Sequence, residues 1–337
     1  MRYDVHAHVV PTSLADRLGA DGGQCGVTAT DADGRLRVAV GGDGGGTPVR
    51  PDLLDVDARL SAMDRAGVDV QLLSAWIALT AYTLPDEQGI AWCRLFNEAL
   101  AETVASRPDR FQGLATVPLQ AGEAAPAELE HAVRELGMAG AQIATTVAGR
   151  ELDDDLFATF WAAAERLRAI VVIHPDQVLP GRPRSRYVLS NFVGNAAETT
   201  IAASHLVFGG VLERHPDLRV CLVHGGGYAP YQAARMDHGY AAEPRLVDRR
   251  ISEPPSRYLR KFYFDTVTHS PEVTRFLIDF AGVEQVVLGT DYPFEMGERD
   301  PAGLVGRVPG LAAADQKRIL EDNLGRLLAE VRHEGTA

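Results

Sequence analysis

Five side chains carry most of the chemistry this sequence offers: His6, His8, His174, His224 and Asp291. His6 and His8 lie two residues apart in Tyr3–His8, a run that reads as a strand, and a spacing of two puts both imidazoles on one face. His174 ends the apolar run Ile170–His174, His224 ends Arg219–His224, and Asp291 follows Gln285–Thr290. If these runs are parallel strands of one barrel, their C-terminal ends meet at one mouth. Four imidazoles and a carboxylate gathered there suit one divalent metal. Imidazole nitrogens favour zinc, and manganese or iron also accept a histidine and carboxylate set. A lone histidine at a strand end is more often a hydrogen-bonded surface group than a ligand, but three further polar groups at other strand ends argue against coincidence. Barrel hydrolases that bridge two metals often use a carboxylated lysine on strand four. Ala141–Thr146 has none, so one metal per chain is expected. Of the other histidines, His131 and His205 fall on helices, His215 in a loop, His238 past the sixth strand and His333 in the tail. His269, just past strand seven, suits a pocket wall or a structural role equally.

The elements that must position these groups alternate along the chain. Strands are expected at Tyr3–His8, Asp69–Ala75, Phe111–Pro118, Ala141–Thr146, Ile170–His174, Arg219–His224, Phe262–Val267 and Gln285–Thr290. Several are nearly continuous apolar runs, the pattern of a strand buried on both faces of a parallel sheet. Helical spacing fills the intervals at Arg59–Ala66, Asp86–Arg107, Leu156–Leu167, Thr199–Glu213, Pro271–Ala281 and Ala313–Arg332. Eight such alternations predict an α/β fold, a (β/α)8 TIM barrel, as a single domain over residues 1–337. The stretch from about residue 10 to 54 breaks the rhythm. Leu36, Val38 and Val40 alternate as in a half-exposed strand, and Gly41, Gly42, Gly44, Gly45 and Gly46 then interrupt it. A small β insertion over the barrel mouth is expected there.

Composition narrows the function classes. The 337 residues carry 33 basic and 46 acidic side chains, a formal net charge of −13. With no Lys/Arg block to neutralise phosphates, a nucleic-acid partner is not expected. No apolar run approaches the ~18 residues of a membrane helix, and the first residues lack the pattern of a signal peptide. Cys25, Cys93 and Cys221 have no paired spacing, which suits reduced thiols and a cytoplasmic location.

Several motifs together resemble the amidohydrolase superfamily: Asp4-Val5-His6-Ala7-His8, Val172-Ile173-His174-Pro175, His224-Gly225-Gly226-Gly227 and Gly289-Thr290-Asp291-Tyr292-Pro293-Phe294. Asp64-Arg65-Ala66-Gly67-Val68-Asp69-Val70-Gln71 and Val117-Pro118-Leu119-Gln120 narrow the resemblance to the 2-amino-3-carboxymuconate-6-semialdehyde decarboxylase branch. Sister enzymes there decarboxylate resorcylates and carboxyvanillate, and His6-x-His8, where some sisters carry Glu-x-His, points toward the semialdehyde branch. The resemblance implies that His6, His8, His174 and Asp291 hold zinc and a water, with His224 beside them as general acid and base. It implies that Arg50 binds a substrate carboxylate and that Arg235 does so from the partner subunit of a homodimer. Phe294, in the Asp291 motif, is assigned to the substrate pocket. The implied reaction is non-oxidative decarboxylation of an unsaturated or aromatic carboxylic acid, the metal water and His224 protonating the substrate carbon. The alternative is a metal-dependent hydrolase of a lactone, amide or C–C bond, with Asp291 as proton acceptor. A non-catalytic zinc scaffold is a third reading. The sequence departs from the branch in four places: glycines and Asp43 replace a lysine in Gly41–Thr47, Val49 an aromatic residue, His269 a nonpolar one, and Asp176-Gln177 a Trp-Asp pair.

Overall fold

The computed structural model describes residues 1–32, 34–42, 45–176, 186–243 and 250–331. Asp43, Gly44, Gln177, Arg332 and His333 lie outside the described residues. One parallel sheet of eight strands runs in chain order: β1 (Tyr3–Val9), β2 (Val70–Ala75), β3 (Phe111–Ala115), β4 (Gly140–Ala144), β5 (Ile170–His174), β6 (Arg219–Leu222), β7 (Tyr263–Asp265) and β8 (Val286–Val287). The segment after β8 closes the sheet onto β1. The Val5 N–H donates to Leu288 O at 3.0 Å, the Asp291 N–H to His6 O at 2.8 Å and the His8 N–H to Tyr292 O at 2.8 Å. The expected TIM barrel is therefore the observed fold.

Alternation along the strands sorts side chains into two cores. Val5, Leu72, Leu114, Ile170, Val172 and Cys221 fill the barrel interior together with Leu324 and Leu327 of helix Asn323–Ala329. Val171, Ile173 and Leu222 point the other way, into the larger core under the surrounding helices. That is why β5 is apolar at every position before its terminal histidine. Ile170, Val172 and His174 share one parity, so the inward face of β5 ends on an imidazole at the mouth.

Strand ends differ from expectation because the mouth loops leave the ladder early. β4 stops at Ala144, and Thr146–Val147 pairs instead with Arg150–Glu151 in a separate hairpin. β6 stops before His224, and β8 keeps only Val286–Val287. The insertion contains the expected strand, Arg35–Val40, paired with two that were not foreseen, Val27–Ala32 and Thr47–Pro48. It also contains a helix, Leu14–Asp21, whose Leu14 and Leu18 are buried. Helix Ala124–Arg134 carries His131, as expected of that residue, whereas helix Ala229–Ala242 was not foreseen. The expected C-terminal helix is observed over Ala313–Ala329, with one wider, π-helical stretch at Arg318–Asp322 between Ala313–Lys317 and Asn323–Ala329. Among the described residues, no helix is long and apolar enough to cross a membrane.

Candidate active site

At the mouth, His6, His8, His174 and Asp291 are all buried, and one ligand atom from each lies within 4.8 Å of the others. A bulge in β1 makes this possible. The pairing with β2 slips by one residue between Asp4 and Ala7. Val5 can therefore fill the barrel interior while His6 also turns inward, against strict alternation.

Each imidazole is aimed by a bond at its other nitrogen. His6 Nδ1 lies 2.8 Å from Asp265 Oδ2, His8 Nδ1 3.2 Å from Ala75 O and His174 Nδ1 2.8 Å from Pro175 O. All three partners accept, which places the protons on Nδ1 and leaves the Nε2 lone pairs facing the centre. The Nε2 atoms of His6 and His8 are 3.2 Å apart, and Asp291 Oδ1 is 3.3 Å from each. Converging lone pairs and a carboxylate repel one another unless a cation lies between them. Asp291 Oδ1 is buried without a hydrogen-bond donor. This donor set fits a divalent metal.

The electrostatics agree. Burial pushes the His174 imidazolium well below its usual range, with His8 and His6 adding to the effect. Burial also lowers His8. His6 is opposed by burial but is raised by Asp291 and Asp265. Burial works against the Asp291 charge, yet His6, His224 and His8 hold its carboxyl well below the carboxylate range. The cluster therefore presents an anionic oxygen, neutral imidazoles at His8 and His174, and a His6 that holds a proton more tightly than a free imidazole.

His224 stands beside this group. Its Nε2 is 3.6 Å from Asp291 Oδ2, and its side chain is 20% exposed against 8% for Asp291. Its backbone φ is +55°, and Asp291 and His269 have φ of +58°. Non-glycine residues in this region cost roughly 1–3 kcal/mol each and concentrate at functional sites. His224 opens into a cavity of about 590 Å³, walled by Phe192, Val267, Phe276, Leu277 and His269 and touching Asp291. His269 is thus a wall residue. At Gly227, φ is +62° and a Cβ would strike the carbonyl oxygen of Ala196, so the loop behind His224 requires glycine.

The substrate-contact candidates are placed unevenly. The Phe294 ring centroid is 5.4 Å from that of His8, and the Arg50 guanidinium lies 5.7 Å from the Phe294 centroid. Asp52 takes two Arg50 donors at 3.1 and 2.9 Å, and Glu295 takes a third at 2.7 Å. Arg235 is exposed on helix Ala229–Ala242, one turn beyond Tyr231, which lines the cavity. Within one chain Arg235 is not part of the cavity wall.

Sequence reasoning missed the support beneath the ligands. Asp265 binds His6 and also accepts the Gly225 N–H at 2.8 Å, tying β7 to the His224 loop. Its signal was the lone carboxylate at the end of strand seven. Asp4 accepts the backbone N–H groups of His6 and Thr290, each at 3.0 Å. Burial raises Asp4 to about 6.

A closed parallel barrel whose mouth gathers three imidazoles, a carboxylate and an adjacent histidine defines a metal-binding barrel enzyme. The chain belongs to the amidohydrolase family, which it matches over residues 3–329. It is 32% identical over 324 residues to a 2-amino-3-carboxymuconate-6-semialdehyde decarboxylase of Dictyostelium discoideum, covering 96% of this chain and 90% of that one. A gamma-resorcylate decarboxylase of Rhodococcus jostii is 34% identical over 273 residues, 72% of this chain and 79% of its own. The crystal structure of a 5-carboxyvanillate decarboxylase from Sphingomonas paucimobilis superimposes with a TM-score of 0.81 at 26% identity, over 97% of this chain and 98% of that one.

Proposed function

We propose that this protein is a metal-dependent, non-oxidative decarboxylase of an unsaturated or aromatic carboxylic acid. The observation that carries the reading is His224 Nε2 at 3.6 Å from Asp291, between the ligand cluster and the cavity. The decarboxylase relatives, similar over nearly the whole chain, support the reaction class. His6, His8, His174 and Asp291 would hold one metal, and the three-nitrogen, one-oxygen donor set favours zinc. When bound, such a metal acts as a Lewis acid and lowers the pKa of water.

The chain's own residues supply the rest. His224 holds a proton at Nε2 and delivers it to the substrate carbon. The pair of electrons of the breaking C–C bond stays on that carbon and takes the proton, and the carboxylate leaves as carbon dioxide. Asp291 stabilises the charged imidazole while the proton is held. His224 then regains a proton from solvent, so each turnover consumes one proton. A guanidinium binds the acid by two parallel hydrogen bonds. Arg235 of the partner subunit is assigned that role in a homodimer, with Arg50 and Phe294 at the mouth. Tyr231, 76% exposed on the helix that carries Arg235, supports an interface on that face. The three free, buried cysteines suit a reducing, cytoplasmic compartment.

The test is carbon dioxide release from a panel of muconate semialdehydes and hydroxybenzoates. Metal-stripped enzyme should be inactive and regain activity with zinc. His224→Ala should keep its metal and lose about 10²–10⁴-fold in rate. No release from any acid, with one metal per chain, overturns the reading. Sedimentation as a monomer at working concentration removes the role of Arg235.

A further inference from the structure

Arg59 has no role in the reaction as drawn, yet it is 1% exposed and lies directly behind the ligands. It sits in the first turns of helix Val56–Ala66, whose N-terminus is capped by Asp55 accepting the Ala58 N–H at 2.8 Å. Its guanidinium makes three contacts. Nη2 donates to the backbone oxygen of His8 at 2.6 Å, and Nη1 donates to Gln71 Oε1 at 3.1 Å. The plane also lies 4.6 Å from the ring centroid of Tyr292, the residue after Asp291. Gln71 Nε2 in turn donates to Asp4 Oδ2 at 3.0 Å. Asp4 receives the His6 N–H, the Thr290 N–H and the Thr290 hydroxyl, the last at 2.6 Å. One buried side chain thus reaches β1 at the His8 carbonyl, the turn that carries Asp291, and the His6 amide through two neighbours.

Burying a cation among uncharged acceptors is unfavourable unless its hydrogen bonds are needed. An apolar residue of similar size would fill this space for packing alone. What only a planar guanidinium offers here is simultaneous donation in two directions and a face to lay on an aromatic ring. We propose that Arg59 is a positioning residue for the metal site, fixing the backbone of His8 against the Tyr292 side of the Asp291 turn. It touches neither the cavity nor any ligand atom, so it acts on how well the site holds its metal and not on substrate binding. This inference rests on the metal-site reading above.

The test compares full-length wild type, Arg59→Met and Arg59→Lys. Zinc affinity is measured by competition with a chelator of known affinity, turnover as kcat and KM, and folding by chemical denaturation of the metal-free forms. Arg59→Met should lose about 10- to 100-fold in zinc affinity, the range for partners that hold metal ligands in place. In the zinc-saturated enzyme kcat should fall and KM stay within about twofold. Arg59→Lys keeps the charge but not the planar fork, and should not restore affinity. Tyr292→Leu, which removes the ring and leaves Arg59, should weaken zinc by more than threefold but by less than Arg59→Met does, and that threshold decides the inference if Arg59→Met does not fold. Folded variants with zinc affinity within threefold of wild type overturn the inference, as does full rescue by lysine. Wild type that binds no metal overturns the metal-site reading and this inference with it. Wild type that binds zinc but releases no carbon dioxide overturns only the decarboxylase reading, and the affinity comparison still decides the role of Arg59.

Discussion

Replacing Asp265 by asparagine isolates a single proton. Asp265 and His6 are both fully buried, and the His6 Nδ1 to Asp265 Oδ2 bond is 2.8 Å. Burial opposes the Asp265 charge, but His6, His224 and the Gly225 N–H hold its carboxyl below the ordinary range. Asparagine preserves shape. Its oxygen can still accept the N–H groups of Gly225 and Val267, now 2.8 and 3.1 Å from Asp265 Oδ1. Its NH₂ then faces His6 Nδ1, where a proton acceptor stood. Two donors cannot face each other, so His6 must carry its proton on Nε2, the atom needed for the metal. Metal binding then requires the imidazole to return to the other tautomer with its Nδ1–H unpaired. A lost charge-assisted hydrogen bond is worth about 1.5–3 kcal/mol, or roughly 10- to 150-fold in metal affinity. Chelator competition at neutral pH would measure it, with denaturation of the metal-free protein as the control for folding. The control should move by less than about 1 kcal/mol, because both backbone bonds survive. A folded Asp265→Asn protein with zinc affinity within threefold of wild type would refute the tautomer argument.

Other consequences are equally direct. His6 is raised above its usual 6.5 by Asp291 and Asp265 despite its burial, whereas His174 stays neutral. Zinc must therefore displace a proton from His6 near neutral pH, and apparent affinity should rise with pH and level off above the His6 titration. Calorimetry in two buffers of different ionisation enthalpy counts that proton, and a count of zero between pH 6 and 7 contradicts the assignment. Glu295 is 71% exposed on Arg50, so Glu295→Gln should free part of the guanidinium and lower KM for the acid by about two- to fivefold, the scale of an exposed ion pair. An unchanged KM would remove Arg50 from substrate binding. Gly227→Ala places a methyl against the Ala196 carbonyl at a positive φ, and should destabilise the fold by more than about 1 kcal/mol in urea unfolding.

Much of the molecule was legible along the chain. Burial on both faces makes a parallel strand apolar at nearly every position, and the barrel brings all strand ends to one mouth. The polar residues His174 and Asp291, at the ends of those runs, therefore pointed to the cluster that forms at the mouth. The helix at Ala229–Ala242 was harder to read. It follows a glycine run and has Pro230 near its start, residues that favour a turn locally.

Tertiary structure alone decided three features of the site. The bulge in β1 turns His6 inward beside Val5, and a slip in pairing is a relation between two strands that neither sequence states. Asp265 and Arg59 support His6 and His8 from 259 and 51 residues away, so no local spacing links them. Arg50 carries the guanidinium expected of an acid-binding residue, but Glu295 from the segment after β8 occupies one edge of it. Residue type and periodicity determined which side chains face the mouth, because those follow from burial along one strand. Which nitrogen points into the cluster and which edge of a guanidinium is occupied depend on partners brought together only when the barrel closes.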